Sequence, residues 1–239
     1  MINIICMKWG TKYGPEYVNR LYAMVKRNIT LPMRFACFTD NSEGIRDEVE
    51  TFPIPSLGLD LSGPERGWTK LATFGPTLYD IKGQTLFLDL DLIVVSSIDE
   101  LFSLPGSVII IRDWLKKDGT GNSSVYRFNI GEHPDVLADF QNNFAAIKRA
   151  YRNEQEYLSA ALLKKNALNY WPEVWCRSFK RHCMHYFPKS LLCPPSVPDQ
   201  AKIIVFHGHP HPDEAIEGRT GKWYRFARPA LWIRDIWQA

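Results

Sequence analysis

The stretch TLFLDLDLIVV, Thr85–Val95, places two aspartates inside a run that is apolar apart from its first threonine. Such a run predicts a buried strand, and residues at i and i+2 of a strand point to the same face. We therefore expect Asp89 and Asp91 to project together. Carboxylates are seldom buried without a partner, because a buried unpaired charge is costly. The fold must therefore bring a neutralising group to this strand.

The rest of the chain alternates between predicted strands and helices. INIICMK (2–8) and MRFACFTD (33–40) are typical of strands, and the apolar positions of 14–29 have helical spacing. The remaining predicted elements are a helix at 68–81 interrupted at Gly75–Pro76, a short helix at 96–104, strands at 107–113, 123–130 and 201–208, and helices at 133–151 and 153–167. This order predicts an α/β fold with a largely parallel sheet and helical crossovers.

Composition limits the classes of protein that remain. The chain has 239 residues, 45% of them hydrophobic, which suits one α/β domain. The net charge of +3 gives no argument for nucleic acid as a partner. The 5 cysteines form no C-x-x-C pair, and this favours a reduced, cytoplasmic compartment. No apolar run is long enough for a membrane helix, and MINIICMKWG is more typical of a first strand than of a signal peptide.

The two aspartates have a functional and a structural interpretation. Paired carboxylates at the carboxyl end of a strand suit a hard divalent cation, which in turn can hold a diphosphate. Alternatively, Asp89 and Asp91 end the strand at an exposed tip or accept backbone hydrogen bonds, since D-x-D is a short pattern that arises often by chance.

A third metal ligand is expected from the stretch IIVFHGHPHPDEA (203–215). His207 closes its apolar strand and would complete a site with Asp89 and Asp91. A mixed nitrogen and oxygen ligand set suits Mn²⁺, with Mg²⁺ as the alternative. His209 and His211 are interpreted as phosphate or substrate contacts, or as solvated loop residues.

Four segments together resemble a known family. FLDLDLIVVSSIDELF (87–102) resembles the core motif of retaining glycosyltransferases with the GT-A fold, particularly the bacterial-type enzymes of family eight, the galactosyltransferase and glycogenin group. Residues 4–28 are similar to the start of such enzymes, 153–175 to their D-Q-D helix, and 206–215 to their late H-x-x-G-x-x-K-P-W motif. The resemblance implies a Rossmann-like, mixed, mostly parallel sheet flanked by helices. It also implies one domain, with a nucleotide-binding half (1–115) and an acceptor half (116–239).

The resemblance implies an activity and a role for each matched residue. The resemblance implies that a nucleoside-diphosphate sugar, UDP-linked in this family, would donate its sugar with retention to a glycan or lipid-linked acceptor. The implied nucleotide-sugar contacts are Lys8, Trp9, Gly10, Tyr13, Asp40, Lys70, Asp89 and His211. The implied metal ligands are Asp89, Asp91 and His207. Gln155, close to the reacting sugar carbon, and Asp113, near the sugar hydroxyls, are the implied catalytic residues.

Some positions depart from the family pattern. Val205 stands where the family has its metal-binding histidine, so His207 would act from a shifted register. His211 stands where the family has its phosphate-binding lysine, and Arg219 or Lys222 are alternatives for that contact. Two local alternatives remain open as well: Lys70 as a solvated helix residue, and Glu156 as part of a capping box with Asn153 at the start of its helix.

Two further questions stay open from sequence. The segment 222–239 mixes basic and aromatic residues, which suits either peripheral contact with the inner membrane or packing on the core. Two other functions also fit D-x-D after an apolar strand. One is a phosphohydrolase of the haloacid dehalogenase type, and the other is a non-catalytic nucleotide-sugar-binding relative.

Overall fold

The computed structural model describes residues 1–59, 66–221 and 226–239. Its strands are β1 (Ile2–Lys8), β2 (Met33–Thr39), β3 (Glu50–Phe52), β4 (Gln84–Leu88), β5 (Leu92–Val94), β6 (Val108–Arg112), β7 (Gly121–Asn129), β8 (Leu168–Tyr170), β9 (Cys176–Ser178) and β10 (Ile203–Val205). Its α-helices are α1 (Pro15–Arg27), α2 (Pro134–Asn142), α3 (Phe144–Ala150), α4 (Glu154–Leu163), α5 (Pro212–Ile216) and α6 (Leu231–Ile236). Short 3₁₀ helices cover Arg66–Phe74, Asp99–Phe102 and Lys189–Leu191, and a π-helical turn covers Phe179–Cys183.

The main sheet has the order β3-β2-β1-β4-β7-β6-β8. Four of its neighbouring pairs are parallel, and β7 runs antiparallel to both β4 and β6. A smaller sheet has the order β5-β10-β9. The predicted mixed, mostly parallel α/β sheet is confirmed. Because β7 lies between β4 and β6, one sheet combines both predicted halves, and the division of labour at residues 115 and 116 stays a prediction.

The sequence builds this sheet from strands that are buried on both faces. Alternate residues of β1 point to opposite sides, so Ile4 and Cys6 join one core cluster while Ile5 and Met7 join the other. Continuous apolar runs are typical of parallel strands covered by helices on both faces. The helix α1 covers the first cluster with its buried residues Val18, Leu21, Ala23, Met24 and Val25.

The strand predicted at 85–95 is two strands in two different sheets. β4 ends at Leu88, and β5 begins at Leu92 in the smaller sheet, where it pairs with β10. The aspartates therefore lie in the connection between the sheets, and the prediction of a continuous strand is wrong. Leucines surround both aspartates, so hydrophobicity alone cannot reveal where the chain leaves one sheet for the other.

Other boundaries differ for local reasons. The helix predicted at 68–81 is a 3₁₀ helix that ends at Phe74, before Gly75–Pro76, because proline cannot continue a helix. The helix predicted at 133–151 is broken into α2 and α3 at Asn143. The strands β3, β8 and β9 are only three residues each, too short to give a periodic pattern. Within the described ranges, no helix is long and apolar enough to cross a membrane.

Candidate active site

Two parallel strands place the predicted site residues at one edge of the main sheet. β1 and β4 pair with Ile5 opposite Phe87, so the segments that follow them, 9–13 and 89–91, lie side by side. The carboxyl ends of such strands are where α/β proteins bind ligands. The backbone of 89–91 is held at both ends: Asp89 N donates to Ser124 O at 2.9 Å, and Phe206 N donates to Asp91 O at 3.3 Å.

A cavity of about 230 Å³ opens at this edge. It is lined by Met7, Trp9, Lys12, Tyr13, Gly67, Lys70, Asp89, Leu90, Asp91 and Glu154. Five of the residues predicted from sequence therefore share one cavity: Trp9, Tyr13, Lys70, Asp89 and Asp91. Its lining combines three carboxylates, two lysines and two aromatic rings, so a negatively charged ligand would enter it together with a cation.

Lys70 is a buried cation and not a solvated helix residue. Its Nζ lies 2.6 Å from Asp89 Oδ1, and the lysine is only 9% exposed. Burial alone lowers the pKa of Lys70, but Asp89 and Glu154 more than offset it, so the net pKa of Lys70 is raised. Lys70 therefore stays charged and neutralises Asp89 within the cavity.

Asp91 is less well compensated than Asp89. Tyr13 Oη donates to Asp91 Oδ2 at 2.7 Å, and the Asp91 side chain is 15% exposed. Burial, together with the charge of Asp89, raises the pKa of Asp91 to about 6. Burial and the Asp91 charge also raise the pKa of Tyr13, so its phenol remains a donor. The negative charge of Asp91 is therefore only weakly compensated by the side chains around it.

His211 is the imidazole that stands beside Asp91. Its Nδ1 lies 3.8 Å from Asp91 Oδ2, and its ring contacts Tyr13 edge to face with a centroid distance of 5.9 Å. The His211 side chain faces the backbone N–H of Glu214 in a capping-box arrangement at the start of α5, and the buried Nδ1 makes no well-formed hydrogen bond among the described residues. The backbone N of His211 donates to Glu214 Oε2 at 2.8 Å and fixes the residue. Burial lowers the pKa of His211, so the ring is neutral and able to bind a metal.

The structure does not bring His207 to the aspartates, which corrects the expected ligand set. Its Nε2 lies 2.7 Å from Ser178 Oγ, and its ring stacks on Trp114 at a centroid distance of 5.6 Å. Burial and the nearby cations Lys180 and Arg181 lower the pKa of His207 to about 4. The chain turns after β10 at Gly208, whose φ is 61°, and His211 then lies beside Asp91. Among the residues described, no three His, Cys, Asp or Glu side chains stand close enough to hold a metal.

The other predicted nucleotide contacts lie around the end of β1. Asp40 Oδ2 accepts a hydrogen bond from Gly10 N at 2.8 Å, which ties the ends of β1 and β2 together. Asp40 also lines a second cavity of about 360 Å³ with Thr39, Asn41 and Phe52. Lys8 is buried, and its Nζ donates to Asn41 O at 3.2 Å, so Lys8 does not line the first cavity. Its position supports the loop after β2.

Glu154 and Lys12 are the charged cavity residues that sequence reasoning did not assign to the site. Glu154 follows the predicted N-cap Asn153, which accepts a hydrogen bond from Glu156 N at 3.1 Å. The other half of the predicted capping box is not formed, because the Glu156 carboxylate accepts from Arg152 N at 2.8 Å. The Glu154 carboxylate lines the cavity, where Ser123 Oγ donates to it at 2.8 Å. The available signal was that Glu154 is an acidic residue in the first turn of α4 that takes no part in capping the helix, which leaves its carboxylate able to face a ligand.

Neither of the two residues predicted as catalytic lines the cavity. Gln155 Oε1 accepts from Ser123 N at 3.4 Å, one residue along the helix from Glu154. Asp113 Oδ1 accepts from the backbone N of Leu115 at 2.7 Å and of Lys116 at 3.1 Å, so it organises its own turn. Catalytic roles for Gln155 and Asp113 stay predictions.

Two described tryptophans of the C-terminal tail pack on the protein, while Phe226 and Leu231 are exposed. Trp237 is 5% exposed and lies against Tyr17 at a centroid distance of 5.0 Å. Trp232 Nε1 donates to Pro195 O at 3.0 Å. Arg219, one alternative phosphate contact, pairs with Glu217 at 2.6 Å on the surface. The other alternative, Lys222, and the rest of 222–225 lie outside the described residues.

Comparisons with known proteins detect similarity in structure but not in sequence. No protein-family profile matches the chain, and no curated protein matches it. Its fold is similar to that of the galactosyltransferase LgtC in complex with donor and acceptor sugar analogues, with a TM-score of 0.67 and 12% identity. That match covers 98% of this chain and 95% of the LgtC chain. A structure of an LgtC active-site mutant, with glutamate in place of glutamine, matches with a TM-score of 0.66 and 13% identity, covering 98% of this chain and 94% of that one.

These matches confirm the fold that the sequence motifs imply. The chain has the GT-A architecture of a galactosyltransferase over nearly its whole length. At this level of identity the likeness establishes the fold, and the function must be argued from the site itself.

Proposed function

We infer that this protein is a glycosyltransferase. It uses a divalent cation, Mn²⁺ or Mg²⁺, to move a hexose from a nucleoside-diphosphate sugar, UDP-linked by family resemblance, to a glycan or lipid-linked acceptor with retention. The observation that carries the proposal is the cavity in which Asp89, Asp91, Lys70 and Glu154 meet at the carboxyl ends of β1 and β4. The fold shared with LgtC supports the same conclusion.

The two neighbouring cavities suit the two ends of such a donor. The cavity at Asp40 adjoins the end of β2, while Trp9 and Tyr13 line the cavity that holds the aspartates. A base and ribose would lie toward Trp9 and Asp40, since aromatic faces and a carboxylate recognise their rings and hydroxyls. The diphosphate would then reach the charged centre formed by Asp89, Asp91 and Lys70.

The side chains at this centre supply the carboxylate and imidazole donors that a divalent cation binds, and they would have to move closer together to hold one, since no three of them stand within metal-binding distance in the described part of the chain. Asp91 has a raised pKa and His211 has a buried Nδ1 without a partner of good geometry in the described chain. Both features are expected where a cation binds, because a cation would lower the pKa of the carboxyl and would be bound by the lone pair of the imidazole nitrogen. We propose Asp89, Asp91 and His211 as the ligands, in place of the trio with His207. A bound Mn²⁺ or Mg²⁺ would supply positive charge that stabilises the departing diphosphate.

The chain's own side chains perform the remaining tasks. Lys70 is held charged at 2.6 Å from Asp89 and adds a fixed positive charge where the phosphate charge develops. Glu154 is placed in the cavity to accept hydrogen bonds from sugar hydroxyls. Tyr13 holds Asp91 in one orientation through its phenol. We propose that Gln155, one residue beyond Glu154, approaches the reacting sugar carbon.

The alternatives are weakened to different degrees. A haloacid dehalogenase-type enzyme usually carries its nucleophilic aspartate at the end of the first strand, whereas Asp89 follows β4, in the middle of the chain. The non-catalytic relative shares every feature of the donor site, so only turnover separates it from a transferase. Release of nucleoside diphosphate in the presence of sugar acceptors distinguishes the two.

A thermal-shift titration with nucleotides and nucleotide sugars, with and without Mn²⁺, tests the donor site. A ligand that binds only the folded state adds about 2.7 kcal/mol at a hundredfold excess over its Kd. We expect a Mn²⁺-dependent shift with one nucleoside diphosphate, lost in the Asp89→Ala/Asp91→Ala double variant. The exposed Asp47→Ala variant serves as the matched control and should respond like the wild type. A protein that no nucleotide shifts contradicts the proposal.

Single histidine variants test which imidazole binds the cation. Removing His211 should weaken Mn²⁺ binding at least about tenfold in the presence of nucleotide, because outer ligand partners alone contribute this much. Removing His207 should change the Mn²⁺ affinity by less than about twofold, since its ring already bonds to Ser178. Mn²⁺ titration followed by electron paramagnetic resonance measures both affinities. The reverse order of effects would restore the His207 assignment.

A further inference from the structure

A long segment of the chain lacks acidic residues altogether. Residues 174–198 contain Arg177, Lys180, Arg181 and Lys189, with no aspartate or glutamate. The net charge of the whole protein is only +3, so this segment is a local excess of positive charge. It is separate in sequence from the tail at 222–239.

The same segment exposes large apolar side chains. Tyr186 is 80% exposed, Phe187 79% and Leu192 76%. Other exposed apolar residues of the described chain, such as Leu31 and Leu163, are separated from one another in sequence and lie on different elements. Clustered exposed aromatic residues indicate an interaction site, whereas isolated ones need no explanation.

Cations and aromatic rings meet at one cavity of about 340 Å³. It is lined by Lys180, Arg181, Met184, His185, Tyr186, Phe187, Ser190, His207 and Phe226. The exposed aromatic rings therefore border a pocket that contains two fixed positive charges. Such a pocket suits an anionic group whose attached chain is apolar.

The backbone holds this surface in place. Ser190 N donates to Tyr186 O at 3.1 Å, and Cys193 N donates to Lys189 O at 2.9 Å. Arg228 joins the surface to the C-terminal segment through a hydrogen bond from Nη1 to Leu192 O at 3.1 Å. The exposed rings are thus carried by a hydrogen-bonded turn.

We propose that Lys180, Arg181, Tyr186, Phe187, Lys189 and Leu192, here called the basic aromatic surface, dock on an anionic lipid bilayer. Phe187 and Leu192 enter the interface, Tyr186 lies at the level of the head groups, and a lipid phosphate occupies the cavity near Lys180 and Arg181. The absence of acidic residues from 174–198 makes the surface complementary to anionic lipid. The docking does not depend on the proposed transferase activity.

The position of the surface has a consequence for substrate access. His207 lines this cavity and follows β10, whose neighbour Phe206 bonds to the backbone of Asp91. A lipid-linked molecule held at the bilayer would therefore lie beside the residues of the candidate active site. The tail residues Trp232 and Trp237, packed on the protein, contribute little to such contact.

Sedimentation with sucrose-loaded vesicles tests the docking on the full chain. The wild type should bind vesicles of phosphatidylcholine with phosphatidylglycerol and release them at high salt, while vesicles of phosphatidylcholine alone bind weakly. Lys189→Gln should lower the partition coefficient about fivefold, because each lysine or arginine near an anionic bilayer contributes about 1 kcal/mol to binding. Tyr186→Ser/Phe187→Ser should lower it at least about tenfold.

Matched variants separate docking from loss of folding. Leu31→Ser replaces an exposed leucine elsewhere, and Lys82→Glu reverses an exposed charge at the other end of β4; both should bind like the wild type. Circular dichroism confirms that the variants fold. Equal binding to both vesicle types, or unchanged binding of the aromatic double variant, overturns the proposal. Complete competition by glycerol phosphate also overturns it, because it would identify a site for a soluble anion. A third contradicting result is a wild-type dimer that binds no lipid and that the aromatic double variant converts to a monomer.

Discussion

Replacement of Asp91 by asparagine should reduce sugar transfer roughly a thousandfold, because it removes an anionic ligand from the charge-stabilising centre. The carboxylate of Asp91 lies 3.8 Å from His211 Nδ1 and shares the cavity with Asp89. Asparagine keeps the shape of the side chain and the contact with Tyr13. The loss of activity therefore measures the effect of removing the negative charge of Asp91. It is determined as the change in kcat/KM with the donor that the thermal-shift titration identifies.

The same substitution should stabilise the metal-free protein at neutral pH. Burial, with the charge of Asp89, raises the pKa of Asp91 to about 6. An unfolded aspartate has a pKa of about 3.9, so ionising Asp91 in the folded state costs about 3 kcal/mol. Because the folded pKa is the higher one, wild-type stability falls as the pH rises from about 4 to about 6. The Asp91→Asn variant escapes this loss, and its advantage at pH 7 should reach about 1–2 kcal/mol after the weaker hydrogen bond from Tyr13 is included.

Urea denaturation in the presence of a chelator, at several values between pH 4 and pH 7, measures this effect. The gain should be largest at pH 7 and only a small fraction of that value near pH 4, where Asp91 is protonated in the folded state and about half protonated in the unfolded state. Asp47→Asn, at an exposed position, should change neither the transfer rate nor the pH dependence. An Asp91→Asn variant that is less stable than the wild type at pH 7 contradicts the account of a poorly compensated carboxylate.

The sequence predicts the first half of the fold well, since its elements bury continuous apolar faces. INIICMK and MRFACFTD become β1 and β2, and the helical spacing at 14–29 becomes α1. The break between β4 and β5 is invisible in the pattern because leucines surround both aspartates, and only the partner strands β7 and β10 decide where the chain changes sheet. Long-range pairing of this kind is not encoded in local periodicity.

The candidate site is predictable in chemistry and only partly in geometry. Asp89 and Asp91 stand out as charges in an apolar run, and both line the cavity. The choice between His207 and His211 depends on the turn at Gly208, which no spacing rule contains. Glu154 escapes notice because its neighbours have a satisfactory explanation as a helix cap. Charges within a hydrophobic run are thus a stronger signal than charges at a helix end.

Replacement of Lys70 by methionine should lower the free energy of unfolding by about 3 kcal/mol, since removing one partner of a buried ion pair leaves an uncompensated charge. Lys70 is 9% exposed, its Nζ lies 2.6 Å from Asp89 Oδ1, and Glu154 is a second carboxylate whose charge raises the pKa of the lysine. Methionine fills a similar volume without the charge. Activity should fall as well, because Lys70 supplies a fixed positive charge at the centre.

A double-mutant cycle separates the ion pair from the packing of the side chain. Lys70→Met/Asp89→Asn should recover at least about 1 kcal/mol relative to the sum of the single changes, because neither charge is then left alone. Arg219→Met removes a surface pair with Glu217 whose side chains are 58% and 60% exposed, and it should cost less than about 1 kcal/mol. If Lys70→Met were as mild as Arg219→Met, Lys70 would not neutralise Asp89. The fold would then depend on a bound cation to compensate the carboxylates of the cavity. In that case a chelator should lower the stability of the wild type by more than any of these substitutions does.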